Sequence, residues 1–313
     1  MKALIAGGAG FVGSHLIDRL LQEGHEIVCI DNYSIGTKNN IEQLAPNSNF
    51  KIYEEDLCDI GKLNHIFENE KVDYVFHLAA NSDIQASAEN PLIEYRNTYT
   101  TTFNILECMR LYGVKKLFFS STSAVYGERA GKEVSEDTPG LEPISYYGAC
   151  KLGSEALISA FSYMNNLQSL IFRFPNVVGP RLTHGVIFDF IKKLKNNPKE
   201  LEILGNGLQR KPYMYVSDLV DAIVKYKDVE KRVEIYNIGV STQTSVNTIA
   251  DIICEEMGLK DVVYKYTGGT GGWKGDVPVF AYNLDKIKNT GWRPRYESDE
   301  AVRLTVKKEL NKI

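Results

Sequence analysis

The chain has 313 residues, of which 43% are hydrophobic, and its net charge is −4 with an isoelectric point near 5.8. A chain of this length can bury the core of one large domain or of two lobes. The mildly acidic balance gives no electrostatic reason to expect a nucleic-acid or anionic-membrane partner. No apolar run approaches the roughly 18–20 residues that a membrane-spanning helix needs.

The sequence begins MKALIAGGAGFVG, an apolar run that glycines interrupt. It lacks the basic region and the cleavage site of a signal peptide, so it predicts a first β-strand. The five cysteines are scattered and never form C-x-x-C, which favours reduced thiols over disulfides or a zinc site. The histidines also lack ligand spacing, so we expect a globular cytoplasmic enzyme without a metal.

The first 175 residues alternate short β-branched runs with amphipathic helices, the pattern of a parallel sheet covered on both faces. After Pro175 the chain is richer in proline and glycine, which indicates a smaller lobe. The expected fold is α/β, a Rossmann-type doubly wound parallel sheet with a smaller C-terminal α/β lobe. The predicted strands are 2–7, 26–31, 50–56, 73–79, 115–121 and 169–174, with 233–239 as a possible late addition.

Three glycines follow the first predicted strand and open a predicted helix: Gly7, Gly10 and Gly13. Glycine permits the tight turn, the approach of a pyrophosphate to the backbone and close packing of helix on strand, and the helix N-terminus favours phosphate. Such a turn also occurs for structural reasons alone. Here Asp31 ends the next strand, about 20 residues later, where a carboxylate binds the adenosine ribose. A carboxylate would repel a 2′-phosphate, so NAD is expected rather than NADP.

The end of the third predicted strand offers a second cofactor contact. Asp56 and Leu57 close this strand, at the same edge of the sheet as the glycine loop. They are candidates for contact with the adenine, and an ordinary turn is the alternative interpretation.

The stretch ISYYGACK contains two tyrosines, but only Tyr147 has Lys151 four positions later on the same helical face. A phenol is a poor base at neutral pH, and a neighbouring ammonium favours its phenolate. The pattern Y-x-x-x-K is common on helices, and it becomes informative here because it follows a dinucleotide loop and the run SSTSAVYG. Ser121 and Thr122 in that run can hold the reacting oxygen of a substrate while Tyr147 accepts its proton.

Eight motifs occur in the order found in extended short-chain dehydrogenases/reductases: GGAGFVGSH, DLCD, HLAA, SSTSAVYG, YYGACK, RFPNVVGPR, YMYVSDLVDAI and YNIG. Among these, the chain resembles the UDP-glucose 4-epimerase-like nucleotide-sugar epimerases up to about residue 300. The resemblance implies oxidation of a sugar C4 hydroxyl by NAD to a 4-keto intermediate, which rotates and is reduced on its other face. It also implies that Tyr147 transfers the proton, that Thr122 is its hydroxyl partner, and that Lys151 binds the nicotinamide ribose and lowers the pKa of Tyr147.

The resemblance assigns further residues by motif position. Additional cofactor contacts are implied for Phe11, Val12, Asn32, Leu78, Ala79, Ala80, Ser121 and Phe174. Substrate contacts are implied for Thr122, Asn176, Val186, Lys211, Trp273 and Lys274. An NAD-binding domain is expected over 1–175, joined by a segment near 213–245, with the substrate-binding lobe mainly over 176–313. A homodimer is expected through the helix of Tyr147 and the helix near 92–111.

Several positions depart from the family pattern. Lys211 and Trp273 stand where the family has arginines that bind the diphosphate, and a lysine does not reproduce their bidentate geometry. Trp273 can stack on a base or sugar, or can be an ordinary buried aromatic residue. Thr98 stands where the family usually has asparagine, which puts one cofactor contact in question.

The reaction has alternatives at this stage. Family 4,6-dehydratases carry an Asp-Glu pair where this chain has Ser123 and Ala124, so dehydration is disfavoured. A nucleotide-sugar 4-dehydrogenase or 4-keto reductase, acting for example on a GDP- or UDP-linked hexose or heptose, needs the same residues and remains the main alternative. A non-catalytic NAD-binding relative is disfavoured because Tyr147 and Lys151 are both present.

Overall fold

The computed structural model of the chain describes residues 1–129, 131–269, 277, 279 and 281–311. The strands of these residues are β1 (Lys2–Ala6), β2 (Glu26–Ile30), β3 (Phe50–Tyr53), β4 (Tyr74–His77), β5 (Lys116–Thr122), β6 (Glu133–Val134), β7 (Gln168–Phe174), β8 (Asn176–Val178), β9 (Glu200–Ile203), β10 (Arg210–Lys211), β11 (Tyr213–Tyr215), β12 (Val233–Asn237), β13 (Thr244–Ser245), β14 (Val263–Tyr266) and β15 (Ala281–Tyr282). The α-helices are α1 (Phe11–Gln22), α2 (Ile60–Glu70), α3 (Ile84–Glu89), α4 (Leu92–Glu94), α5 (Thr101–Tyr112), α6 (Tyr146–Asn165), α7 (Val186–Asn196), α8 (Val216–Tyr226), α9 (Val246–Glu256), α10 (Asp285–Asn289) and α11 (Ser298–Leu310). Short 3₁₀ helices occur at Lys38–Asn40, Glu42–Leu44 and Ser123–Tyr126, and a π-helix spans Tyr95–Thr100.

The first of two compact units comprises Met1–Val125, Leu141–Arg173 and Val220–Tyr236. Its seven-stranded sheet has the order β12-β7-β5-β4-β1-β2-β3. The pairs β1–β2, β1–β4, β2–β3 and β4–β5 are parallel. The strand order reverses direction between β1 and β4, which is the switch point of a doubly wound sheet. The prediction of a Rossmann-type α/β fold is confirmed.

The predicted strands match the observed ones closely, with one clear difference. The strand predicted over 50–56 ends at Tyr53. The acidic residues that follow favour a turn over a strand, and the side chain of Asp56 accepts a hydrogen bond of 2.8 Å from the backbone N–H of Cys58. The late strand expected near 233–239 is confirmed as β12.

The core of the first unit explains why its strands read as nearly continuous apolar runs. Leu4, Val28, Val75, Leu117 and Ile171 belong to one buried cluster that also includes side chains of the covering helices. In a parallel sheet buried on both faces, alternation of polar and apolar residues is lost. The parallel register also brings the carboxyl ends of β1, β2, β4 and β5 to one edge of the sheet, where ligands bind in open α/β folds.

The second unit comprises Tyr126–Gly140, Phe174–Leu219 and Asn237–Ile313. Its sheets are small: β8 pairs with β11 and β9 with β14 in parallel, and β10 pairs with β13 antiparallel. A separate core is formed mainly by the helices, with Ile187, Phe190, Ile253 and Val302 among its buried side chains. The division of the chain into cofactor and substrate domains stays a prediction. Across the described part of the chain, no helix combines the length and apolarity that crossing a bilayer requires.

Candidate active site

The glycine loop after β1 makes a tight turn with close backbone approaches, the geometry that a phosphate-binding loop needs. Gly7 has φ +82°, and a Cβ on it would lie 2.7 Å from the backbone nitrogen of Ala79. A Cβ on Gly13 would lie 2.3 Å from the carbonyl oxygen of Gly7, so α1 packs directly on the turn. Gly10 precedes α1 and provides no side-chain cap, which leaves the first N–H groups of the helix, at Phe11 and Val12, for an anion.

Asp31 follows β2 and is buried, with 8% of its surface exposed. Its carboxylate accepts hydrogen bonds from the backbone N–H groups of Ala9, at 2.9 Å, and Tyr33, at 2.8 Å. Burial raises the pKa of Asp31, and these two hydrogen bonds oppose the rise. Each carboxylate oxygen keeps a further lone pair. Asp31 can therefore accept hydrogen bonds from ribose hydroxyls while it also accepts the bond from Ala9 of the glycine loop. The residues present therefore fit a dinucleotide.

The other predicted cofactor residues of the first unit lie at loops that follow the strands. Leu57 is buried after β3, and its carbonyl accepts a hydrogen bond of 2.9 Å from Asn104. Asn32 is exposed and accepts a hydrogen bond of 3.0 Å from the backbone N–H of Ser34. Leu78, Ala79 and Ala80 are half-buried directly after β4. Their contacts with the cofactor stay predictions.

The start of α6 brings Tyr147 to the end of β5. The side chain of Ser145 caps the helix by accepting a hydrogen bond of 3.1 Å from the backbone N–H of Gly148. A Cβ on Gly148 would lie 2.6 Å from the carbonyl oxygen of Ala124, so only glycine allows so close an approach. The Thr122 side chain then lies close enough to Tyr147 to act on the pKa of its phenol. The structure thus brings together the phenol and the hydroxyl that the sequence predicts to act on one oxygen.

Lys151 lies one turn further along α6 and is 1% exposed. Its Nζ donates to the carbonyl oxygen of Ser120 at 2.5 Å and lies 4.5 Å from the centroid of the Phe119 ring. Burial lowers the pKa of Lys151 to about 7, although the carboxylates of Glu94 and Glu155 act to raise it. Lys151 is therefore only partly charged near neutral pH in the chain alone.

The pKa of Tyr147 moves in the opposite direction from the expected one. Burial raises it, the charge of Glu94 raises it further, and the Thr122 side chain opposes both. From the family resemblance, Lys151 is expected to lower this pKa. Burial and Glu94, opposed by Thr122, set the direction seen here, and the effect of Lys151 on Tyr147 stays a prediction.

A buried polar network beside this pair was not predicted. Glu94 is 0% exposed and accepts a hydrogen bond of 2.7 Å from Asn81 Nδ2 and another of 2.7 Å from Thr98 Oγ1. Thr98, where the family pattern has asparagine, is therefore bound to Glu94. In the sequence, the polar Asn81 just after β4, at the ligand-binding edge, could have indicated this network. Glu94 could not, because a glutamate in a short helix usually faces solvent.

His77 ends β4 and is buried close to Lys151. Its Nε2 lies 3.0 Å from Thr102 Oγ1, and its Nδ1 has no hydrogen-bond partner in the described structure. Burial lowers the pKa of His77 to about 3, and the charge of Lys151 contributes. His77 is thus neutral at physiological pH. Among the described residues, no group of His, Cys, Asp and Glu side chains is arranged to hold a metal ion.

The remaining predicted residues lie in the second unit or outside the described residues. Phe174 ends β7, and its carbonyl accepts a hydrogen bond of 3.0 Å from the Tyr282 hydroxyl. Asn176 is exposed at the start of β8, and Val186 begins α7. Lys211 is half-buried in β10. Trp273 and Lys274 lie outside the described residues. The ligand contacts predicted for these six residues stay predictions. The contact predicted for Ser121 in the first unit also stays a prediction, and its hydroxyl donates a hydrogen bond to Glu155.

Comparison with known proteins extends these observations. A family model described as the NAD dependent epimerase/dehydratase family matches residues 3–239. The chain is 34% identical to the putative UDP-glucose 4-epimerase of Methanocaldococcus jannaschii, over 97% of this chain and 96% of that protein. It is also 29% identical to human dTDP-D-glucose 4,6-dehydratase, over 97% of this chain and 89% of that protein.

Solved structures cover the whole chain. The Thermotoga maritima UDP-glucose 4-epimerase with UDP-glucose superposes with a TM-score of 0.89 at 32% identity, covering 100% of this chain and 99% of that chain. The Thermus thermophilus UDP-glucose 4-epimerase in complex with NAD gives a TM-score of 0.89 at 29% identity, covering 100% of both chains. Similarity of this extent spans both units.

Proposed function

The chain belongs to the NAD dependent epimerase/dehydratase family, and from this we propose that it is an NAD-dependent nucleotide-sugar C4 epimerase acting through a 4-keto intermediate. The observation that carries the proposal is the placement of Tyr147 beside Thr122, one helical turn from the buried Lys151. This arrangement lies at the edge of the sheet that carries the glycine loop. The epimerases among its relatives and structural neighbours support the same reaction.

Each of the three residues has a distinct task in this proposal. Tyr147 takes the proton from the C4 hydroxyl and returns it to the keto oxygen. Thr122 holds that oxygen through its hydroxyl, and Lys151 supplies positive charge that favours the phenolate of Tyr147. NAD, when bound, supplies reversible hydride chemistry at the same carbon. The glycine loop and Asp31 would hold it.

We further propose a nucleotide-diphosphate sugar, with a UDP-sugar as the first candidate. Structural neighbours bound to UDP-glucose and to UDP-N-acetylmuramic acid support this class. In this proposal Asn176, Val186 and Lys211 contact the substrate, together with Trp273 and Lys274. Lysine in place of arginine offers a point charge to the diphosphate, which predicts a weaker hold on it.

Dehydration is disfavoured in this proposal, although dehydratases are among the relatives. Elimination of water across C5 and C6 needs an acid and a base beside the reacting sugar. Ser123 and Ala124, which follow Thr122, provide neither. A single net hydride transfer, as in a 4-dehydrogenase or a 4-keto reductase, uses the same three residues and remains the alternative.

One experiment separates these reactions. The purified full chain is incubated without added NAD, in parallel, with UDP-glucose, UDP-N-acetylglucosamine, UDP-glucuronate and dTDP-glucose, and the products are analysed by chromatography and mass spectrometry. The proposal expects at least one C4 epimer of unchanged mass. A released keto sugar with two hydrogens fewer, or a need for an external oxidant, indicates the 4-dehydrogenase. A product that has lost water indicates a dehydratase, and either result contradicts the epimerase.

We also propose that the chain forms a homodimer through α5 and α6. Large apolar side chains are exposed on both helices, including Phe103 and Leu111 on α5 and Tyr163 and Met164 on α6. An apolar surface of this kind on a water-soluble fold is typical of a protein interface. The two helices lie side by side, because the rings of Phe103 and Phe161 are 6.0 Å apart.

A further inference from the structure

Glu94 is a fully buried carboxylate whose hydrogen-bond donors carry no charge. Its carboxylate is 0% exposed, and its hydrogen-bond donors, Asn81 and Thr98, are both neutral. Within the part of the chain that the structure describes, Glu94 makes no ion pair. A buried carboxylate loses its hydration, and neutral hydrogen bonds alone rarely compensate for that loss. The charge therefore needs a cation nearby.

The neighbouring buried charges leave one candidate. Glu155 is already paired with Arg173, whose Nη2 lies 2.7 Å from its carboxylate. Lys151 is a buried cation in the same situation, with 1% of its surface exposed. Its Nζ donates to the neutral carbonyl and hydroxyl of Ser120, and it makes no ion pair among the described residues. One buried anion and one buried cation thus remain, on α4 and α6, which pack against each other.

We propose that Glu94 is the counter-charge of Lys151 and acts as a positioning residue that keeps this ammonium protonated beside Tyr147. The field of Glu94 raises the pKa of Lys151 against burial, as does that of Glu155. The same field opposes ionisation of Tyr147. The titratable groups around Lys151 are Glu94 from α4, Tyr147, Cys150 and Glu155 from α6, His77 from β4 and Arg173 from β7.

The test is a direct titration of Lys151. The full chain is labelled with lysine carrying ¹³C at Cε, and NMR follows the Lys151 signal, assigned with Lys151→Met, as the pH is changed. Removal of the charge in Glu94→Gln is expected to lower the Lys151 midpoint by roughly 0.5–1 pH unit. The matched control Glu89→Gln, which removes an exposed carboxylate upstream, leaves the midpoint unchanged. An unchanged midpoint in Glu94→Gln overturns the proposal.

Two further variants separate charge from shape. Glu94→Asp keeps the charge, so its midpoint should stay closer to the wild type than that of Glu94→Gln, and equal shifts in both variants overturn the proposal. If Glu94→Gln does not fold, Thr98→Val removes one of the two donors to Glu94 and makes the charged carboxylate less stable. The Lys151 midpoint should then fall, and a midpoint that stays unchanged or rises counts against the proposal.

The benefit to Tyr147 rests on the proposed function, whereas the titration of Lys151 does not. Samples are compared at equal nucleotide content, which is measured after denaturation. A shifted midpoint in a chain without epimerase activity would reject the epimerase and leave the counter-charge standing. An active epimerase whose Lys151 midpoint does not shift in Glu94→Gln would reject the counter-charge and leave the epimerase standing.

Discussion

Tyr147 and Lys151 share one face of α6, but their neighbours differ. Tyr147 lies beside the Thr122 side chain, and Lys151 donates a hydrogen bond to the backbone carbonyl of Ser120. Burial is the main cause of both pKa shifts, and it favours the neutral form of each group: the phenol and the amine. A phenolate at this position therefore needs positive charge from more than Lys151. The nicotinamide ring of a bound NAD carries such a charge.

The first prediction concerns Tyr147→Phe, which removes the hydroxyl and keeps the ring. We expect turnover to fall by roughly 10²–10⁴-fold, the usual contribution of a general acid or base. NAD content should stay close to that of the wild type. The matched control is Tyr146→Phe, because Tyr146 is adjacent but 50% exposed, and its turnover should be nearly unchanged. Full activity in Tyr147→Phe would remove this residue from the proton transfer.

The second prediction concerns Asp31→Asn, which removes the charge expected to exclude a 2′-phosphate. The preference for NAD over NADP, measured as the ratio of their Kd values by calorimetry on nucleotide-free protein, should fall by about tenfold. The ratio is the readout, because the variant also disturbs the hydrogen bonds to Ala9 and Tyr33. Glu54→Gln, an exposed carboxylate just after β3, is the control. Equal affinities in the wild type would refute the role of Asp31.

Among the elements, periodic segments were predictable and the short polar network was not. The apolar runs predicted the bounds of β1, β2, β4 and β5 to within one or two residues of the observed ones. In α4 the hydrophobic pattern is reversed, since Leu92 is 63% exposed and Glu94 is 0% exposed. A π-helix follows Glu94, and the donors Asn81 and Thr98 hold its carboxylate. Such contacts have no period in the sequence, so pattern analysis misses them.

The third prediction concerns how α2 is fixed to the sheet. Burial raises the pKa of Glu70, the last residue of α2, but hydrogen bonds from Lys2, Lys51 and Tyr53 outweigh it and lower the pKa to about 2, from an ordinary value of 4.5. A carboxyl with a lowered pKa stabilises the fold above the unfolded pKa and loses this effect as pH falls toward the folded one. Glu70→Gln should therefore lower the free energy of unfolding by about 2 kcal/mol at pH 7.

Denaturant unfolding of wild type and variant from pH 7 down to pH 2 checks this prediction. The difference between the two should shrink between about pH 4.5 and pH 2, because the wild-type carboxyl becomes protonated in that range. Glu68→Gln, an exposed residue of the same helix, should change stability little at any pH. A difference that stays constant with pH would mean that the ionised carboxylate is not what stabilises the fold.

Over the whole chain, the predicted site residues divide between the two compact units. The predicted cofactor loop and the predicted proton-transfer residues lie in the first unit, and Asn176, Val186 and Lys211 lie in the second. The strands of the first unit were predictable because they are apolar runs. Strands such as β8 and β10 in the second unit were not, since two or three residues are too few to show a pattern.

The last prediction concerns the assembly of the molecule. If α5 and α6 form the dimer interface, sedimentation equilibrium at micromolar concentration should give twice the chain mass of 35.2 kDa. A double variant, Phe103→Glu with Met164→Glu, puts charge on side chains that are 42% and 77% exposed, and a dimer would have to bury those charges without partners. It should sediment as a monomer. Phe188→Glu, at an aromatic residue 38% exposed on α7, should remain dimeric, and a monomeric wild type would refute the interface.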